Sequence, residues 1–168
     1  MEYWEKIESK CRAKGILLDT ELLLLLCVGI YKPQLVEKSK ITNKYSLDDF
    51  NMVANIAAQY SPLYVSPHVL AEFSNHSDKL GSKIMREFYS SIKIILKKQF
   101  EVFIPKDVII DEDYMPALGF ADVSMMRICE EKRCVLFTSD WQLCGICESK
   151  ALDVVNFNHI LGTKWLSE

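Results

Sequence analysis

The sequence predicts an α/β fold of three layers (α/β/α) with a short, mainly parallel central sheet. Short apolar runs, such as residues 16–18 and 134–137, alternate with longer segments whose apolar residues recur every three or four positions. That alternation is typical of a parallel sheet covered by helices on both faces. No internal repeat and no linker divides the chain, so we expect residues 1–168 to form one domain.

The individual elements follow from apolar spacing and from residues that start or stop helices. Ser46 and Asp49 form a capping-box pattern, and Ser66-Pro67 is a typical helix start. The stretch 22–28 is apolar on all sides, which predicts a buried helix. The predicted strands are 16–18, 63–65, 134–137 and 153–157; the predicted helices are an extra N-terminal helix at 2–14, one from about Thr20 to before Pro33, and then 46–60, 67 to about 74, 82–100, 116–131 and 141–148.

The composition argues against a membrane protein, a secreted protein and a structural zinc site. The longest apolar run, residues 22–30, is too short to cross a bilayer, and the N-terminus lacks the apolar core of a signal peptide. We therefore expect a cytoplasmic protein without a membrane segment, and six free, mostly buried cysteines. Cys144 and Cys147 form a C-x-x-C, but no second pair matches it, which disfavours a structural zinc site.

The net charge of −3 is unusual for a protein that binds nucleic acid. A basic surface must then be local, and two groups of residues are candidates for phosphate contacts. For both groups of basic residues the alternative is a solvated surface without a ligand. The aromatic residues Tyr64, Tyr89 and Trp141 could stack on bases, but core packing competes with that role. The first group lies on the predicted helix 82–100 and the second follows the leucine-rich helix: Lys83, Arg86, Lys93 and Lys97; Lys32, Lys38, Lys40 and Lys44.

Four carboxylates occupy positions that suggest chemistry. Asp19 and Asp140 follow predicted parallel strands, where open α/β sheets bind their ligands. Glu72 and Asp122 lie on predicted helices among apolar residues, where an ionised and unpaired carboxylate costs several kcal/mol. Such groups need a basic partner, a proton or a metal ion, and Mg²⁺ or Mn²⁺ prefers carboxylate ligands.

Structural explanations compete for each acid taken singly. Asp19 and Asp140 would serve equally as caps of the helices that follow them. Glu72 would pair with Lys79 or His76, and Asp122 would be half-exposed. The set of four is harder to explain structurally, because two of its members follow strands and two lie in apolar helical faces.

Four segments in order resemble the acidic motifs of PIN-domain ribonucleases. They are 16–20, 69–73, 118–122 and 135–140, followed by a closing strand at 152–157, so the resemblance covers roughly residues 15–160. It implies that Asp19, Glu72, Asp122 and Asp140 are catalytic and bind one or two Mg²⁺ or Mn²⁺ ions, with Thr138 supporting the site. It also implies RNA cleavage that leaves a 5′-phosphate and a 3′-hydroxyl.

Many small members of that family are VapC-type toxins neutralised by an antitoxin protein, so an antitoxin and a homodimer are expected as possible partners besides the RNA substrate. The chain differs from the family in its helix 2–14 and in Glu21, which stands where a small polar residue is common. Glu21 either adds a carboxylate to the site or points away.

Other functions remain open. A phosphatase of the haloacid type needs an Asp two residues after the first, where Glu21 stands, and a receiver domain needs a Lys after a late strand, which the segment 138–140 does not offer. A PIN-like scaffold that binds RNA or protein without cutting is the non-catalytic alternative. A dinucleotide-binding enzyme is disfavoured because no G-x-G-x-x-G follows a strand.

Overall fold

The computed structural model describes residues 2–162. The strands are β1 (Ile16–Leu18), β2 (Leu63–Val65), β3 (Phe100–Glu101), β4 (Val135–Thr138) and β5 (Val154–Asn156). The α-helices are α1 (Glu2–Lys14), α2 (Thr20–Tyr31), α3 (Leu47–Gln59), α4 (Pro67–Ser77), α5 (Met85–Lys98), α6 (Lys106–Ile110), α7 (Met115–Lys132), α8 (Trp141–Ser149) and α9 (Phe157–Gly162), with short 3₁₀ turns at Pro33–Leu35 and Asp78–Leu80.

The five strands form one sheet in the order β3-β2-β1-β4-β5, and every pairing is parallel. Helices flank the sheet, which confirms the predicted three-layer α/β fold and makes the sheet wholly parallel. The central strand β1 pairs Ile16 with Leu63 of β2 and Leu18 with Phe137 of β4. This register brings the ends of β1 and β4, and thus Asp19 and residues 138–140, to the same edge of the sheet.

Helix α2 is part of the core, as its continuous apolar sequence predicts. Its residues 22–28 are each no more than 2 % exposed, and the helix packs against α3, α4 and α5. Gly29 lets α3 approach closely, because a Cβ atom there would lie 2.1 Å from the ring of Phe50. Residues 22–28 therefore present no exposed apolar surface of the kind that a homodimer would use.

The predicted helix 82–100 is wrong at both ends. Residues 82–84 form a turn after Gly81, whose φ of 98° ends the preceding 3₁₀ turn, and α5 begins only at Met85. Phe100 then starts β3, which pairs with β2 at the edge of the sheet. A two-residue strand whose side chains are both exposed has no apolar pattern that the sequence could reveal.

The predicted continuous helix 116–131 is also wrong, because α7 is kinked at Gly119. This residue has φ 82° and ψ 177°, a conformation that L side chains rarely adopt. Leu118 is consequently not a helical neighbour of Asp122, although Met125 and Met126 are and are both buried. The expected apolar face around Asp122 thus lies only on its C-terminal side.

Several smaller boundaries differ from the expectation. Helix α4 continues to Ser77 instead of ending near Ser74, Phe157 starts α9 instead of ending a strand, and α6 was not predicted. The capping box of Ser46 and Asp49 is present at the start of α3. All six cysteines lie within the described residues and are buried free thiols, as expected. Among residues 2–162 no helix has the length and apolar character needed to cross a membrane.

Candidate functional site

Asp19 is fixed at the end of β1 by three hydrogen bonds. It is the N-cap of α2, where its Oδ1 accepts from the Leu22 amide at 2.7 Å. Its Oδ2 accepts from Thr138 Oγ1 at 2.6 Å and from the Ser139 amide at 2.9 Å. The side chain is only 5 % exposed, so one carboxylate both caps a helix and joins the ends of β1 and β4.

Asp140 has a similar cap but an exposed position. Its Oδ1 accepts from the amides of Gln142 at 2.7 Å and Leu143 at 3.0 Å, which caps α8 and leaves Oδ2 outside these bonds. Its own amide donates to Thr138 Oγ1 at 3.0 Å. The capping explanation is therefore confirmed for both strand-end acids. Buried Thr138 links them, because it donates to the Asp19 carboxylate and accepts from the Asp140 amide.

Glu72 and Asp122 reach the same place from two helices. Glu72, half-buried on α4, accepts from Thr20 Oγ1 at 2.5 Å rather than pairing with Lys79 or His76. Asp122 is half-buried on α7. The two helices are joined by a buried hydrogen bond of 2.7 Å between the hydroxyls of Ser66 and Ser124, which sets the separation of the acids that they carry.

The four predicted acids line a single pocket of about 160 Å³, referred to below as the acidic pocket. Its walls are completed by Thr20, Glu21, His76 and Leu143. Within residues 2–162 no lysine or arginine forms an ion pair with any of the four predicted acids. The sequence thus identified the residues that converge here, from four separate elements.

Two of the four acids have a raised pKa. Burial, together with the neighbouring carboxylates of Glu72, Asp140, Asp19 and Glu21, raises the pKa of Asp122 from 3.8 to about 7. Burial also raises the pKa of Asp19 to about 6, although its hydrogen bonds to Thr138, Leu22 and Ser139 act in the opposite direction. Burial is the larger cause of both shifts, and the like charges of the neighbouring carboxylates add to it mainly at Asp122.

Glu21 lies at the rim of the acidic pocket but is bound to other side chains. It forms an ion pair with Lys44 and accepts from Ser139 Oγ at 2.8 Å and from Tyr45 Oη at 3.3 Å. Partial burial alone would raise its pKa, but the contacts with Lys44, Ser139 and Tyr45 outweigh burial and lower it. Glu21 is thus an ionised residue of the wall.

The chemistry of the donor set suits a hard divalent cation, since all four groups offer carboxylate oxygens. Within residues 2–162, however, no three His, Cys, Asp or Glu side chains stand close enough together to form a metal-binding group. Asp19 already accepts three hydrogen bonds through its two oxygens, so it has little remaining capacity as a ligand without a shift of these contacts.

The candidate RNA-contacting residues are distributed unevenly. Lys83, Arg86, Lys93 and Lys97 are exposed, with Lys83 in the turn before α5, and none of them lines the acidic pocket. In the second group, Lys44 pairs with Glu21 and Lys32 with Glu87. Core packing was the wrong expectation for Trp141, which is 61 % exposed beside Asp140.

Sequence reasoning missed Thr20, Ser139, Ser66 and Ser124. Thr20 follows Asp19 but donates to Glu72, and Ser139 precedes Asp140 but donates to Asp19 and Glu21, so the adjacent acid does not reveal either role. The pairing of Ser66 with Ser124 joins residues far apart in the chain, and no local pattern signals it.

The chain was also compared with known proteins. Neither the comparison with models of protein families nor the comparison with curated proteins found a match.

Proposed function

We propose that this protein is a metal-dependent ribonuclease that hydrolyses RNA phosphodiester bonds at the acidic pocket. The observation that carries the proposal is the convergence of Asp19, Glu72, Asp122 and Asp140 on one pocket, where no lysine or arginine of residues 2–162 pairs with them. A cluster of unpaired acids is costly to build, and a site that binds a hard cation gives a reason for that cost.

The four acids would hold Mg²⁺ or Mn²⁺ once their side chains move closer together than they stand in this structure. The ion, when bound, would lower the pKa of water and offset charge that develops on a phosphate. Backbone amides hold Asp19 and Asp140 at the pocket. Oδ2 of Asp140 lies outside these bonds, whereas the contacts of Asp19 would have to shift for it to bind the ion. Thr138 and Thr20 orient Asp19 and Glu72 through short hydrogen bonds. Positioning of this kind is how a site of carboxylates supplies rate enhancement.

The resemblance of four ordered motifs to PIN-domain ribonucleases supports the same function. RNA as substrate, the toxin role, an antitoxin partner, a homodimer and a cytoplasmic location are predictions from that resemblance and from composition. Exposed Trp141 beside Asp140 supports RNA as the ligand, because aromatic side chains stack on unpaired bases.

The test is cleavage of short single-stranded RNA by the purified protein with Mn²⁺ or with EDTA. We expect cutting only with metal and products with 5′-phosphate ends. In Asp122→Asn we expect a loss of rate on the order of 10³-fold, because the ion that would offset the transition-state charge loses a ligand. Asp113→Asn is the matched control, because Asp113 is exposed and lines none of the acidic pocket.

Metal binding is measured separately as a rise in melting temperature with Mn²⁺ concentration. RNA that is bound but never cut, in protein that binds Mn²⁺, would favour a non-catalytic binding module. Phosphorylation of Asp19 by acetyl phosphate would favour a phosphatase or a receiver domain.

A further inference from the structure

A second hollow adjoins the acidic pocket and has the opposite charge. It has a volume of about 220 Å³ and shares Glu21 and His76 with the acidic pocket. The rest of its lining includes Lys40, Lys44 and Lys79. Among the described residues that line it, Glu21 is the one carboxylate, so these residues have a surplus of two positive charges. We call this hollow the lysine hollow.

The surplus rests on two lysines. Lys44 is neutralised by its ion pair with Glu21. Lys40 and Lys79 are exposed, and neither pairs with a carboxylate in the part of the chain that the structure describes. Lys79 Nζ lies 3.4 Å from Nδ1 of His76, a contact that places its ammonium at the junction of the two pockets.

The lysine hollow is built on the same elements as the acidic pocket. His76 lies one helical turn after Glu72 on α4, and spacing of four residues puts the two side chains on one face. The segment that carries Lys40 and Lys44 is held internally by a 2.8 Å hydrogen bond from buried Thr42 to the Val36 carbonyl. At its end, Tyr45 Oη lies 2.7 Å from Oγ of Ser139, next to Asp140.

Resting on the proposed function, we infer that the lysine hollow binds a backbone phosphate of the RNA next to the bond that is cut, through Lys40 and Lys79. The volume accommodates a phosphate group with several waters, since a water takes roughly 30 Å³ in the liquid. Lysines that contact phosphates position the strand without reading its sequence. This local site also resolves how a chain of net charge −3 holds a polyanion.

The first measurement is binding of a labelled 12-nucleotide single-stranded RNA in EDTA, at several salt concentrations. For Lys40→Ala/Lys79→Ala we expect a loss of affinity of roughly 10- to 30-fold at 0.1 M salt, and a salt slope smaller by about 1.4, the value for two lost contacts to a single strand. The pair Lys40→Arg/Lys79→Arg retains the charges and should bind nearly as the wild type does.

The matched control is Lys93→Ala/Lys97→Ala, which removes two exposed lysines of α5 that line neither pocket. It should leave affinity and salt slope close to those of the wild type. An equal or larger loss in this control would place the RNA on α5 and overturn the inference. Tighter binding of polyglutamate than of RNA, lost in Lys40→Ala/Lys79→Ala, would also overturn it, because the hollow would then be a site for an acidic protein segment.

The second measurement separates this inference from the proposed nuclease. Bis(p-nitrophenyl) phosphate has no neighbouring phosphates, so Lys40→Ala/Lys79→Ala should hydrolyse it with Mn²⁺ at the wild-type rate while its kcat/KM for the 12-mer falls about tenfold or more. Undiminished RNA cleavage by the double variant would refute the lysine hollow and leave the nuclease intact. If the wild type cuts neither substrate, the nuclease proposal fails, while the binding data still decide whether the hollow holds RNA.

Discussion

The two pairs of carboxylates in the acidic pocket are held in different ways. Asp19 and Asp140 stand at strand ends and accept hydrogen bonds from backbone amides. Glu72 and Asp122 stand on helices: Glu72 accepts from a threonine hydroxyl, and the described residues provide no hydrogen bond to the Asp122 side chain. The hydrogen bonds of the first pair therefore contribute to the stability of the fold, whereas the ionised form of Asp122 lowers it.

The largest expected difference in stability is between Asp19→Ala and Asp140→Ala. Asp19→Ala removes a helix cap and leaves buried donors without partners, so we expect a loss of about 2–4 kcal/mol in the free energy of unfolding. Asp140→Ala removes an exposed cap and should cost about 1 kcal/mol. Urea denaturation in metal-free buffer measures both losses. Equal losses would show that the burial of Asp19 does not increase its contribution to stability.

A second difference concerns Thr138 and Thr42, two buried threonines whose hydroxyls each donate one buried hydrogen bond. Thr138→Val removes the bond that orients Asp19, so we expect Mn²⁺ affinity to fall about 10- to 100-fold. Thr42→Val removes a bond to the Val36 carbonyl and should cost about 1 kcal/mol of stability with Mn²⁺ affinity unchanged. Calorimetric titration with Mn²⁺ makes the comparison, and equal affinities would remove Thr138 from the site.

The smallest effect is the dependence of stability on pH. Because the pKa of Asp122 is raised from 3.8 to about 7, the folded protein retains a proton that the unfolded chain has lost between these values. Stability of the metal-free protein should then fall as pH rises from 5 to 8, by roughly 5 °C in melting temperature. Asp122→Asn should lose the part of this fall that lies above about pH 6 and keep the smaller fall below it that Asp19, whose pKa is raised to about 6, produces. A melting temperature of the wild type that rises with pH would contradict the assignment.

The spacing of apolar residues predicted the elements whose structure depends on neighbouring residues in the sequence. The leucines of α2 can only be buried, and Asp19 and Asp140 follow apolar strands, so their location at one edge of a parallel sheet was predictable. Strand β3 was not, because Phe100 and Glu101 are both exposed and their pairing with β2 is non-local. The kink at Gly119 was missed because apolar spacing continues across it.

The same distinction applies to the candidate site. The four acids were recognisable because a carboxylate among apolar neighbours needs a reason. Among the hydroxyls, Thr138 was predicted from the family resemblance, but Thr20, which donates to Glu72, and Ser139, which donates to Glu21, were not, because the sequence does not show these partners. The role of Glu21 likewise depended on Lys44, which lies 23 residues away in the chain.

Gly29 has a consequence beyond the packing of α2. With no side chain there, the ring of Phe50 on α3 rests directly on the backbone of α2, so the two helices anchor both ends of the intervening segment 32–46. The entropy of ordering that segment is lost once, when the chain folds, and need not be lost again for a ligand. A bulkier residue at position 29 would separate the two helices and leave the segment 32–46 less ordered. Lys40 would then have to be ordered when the ligand binds, at a cost in affinity.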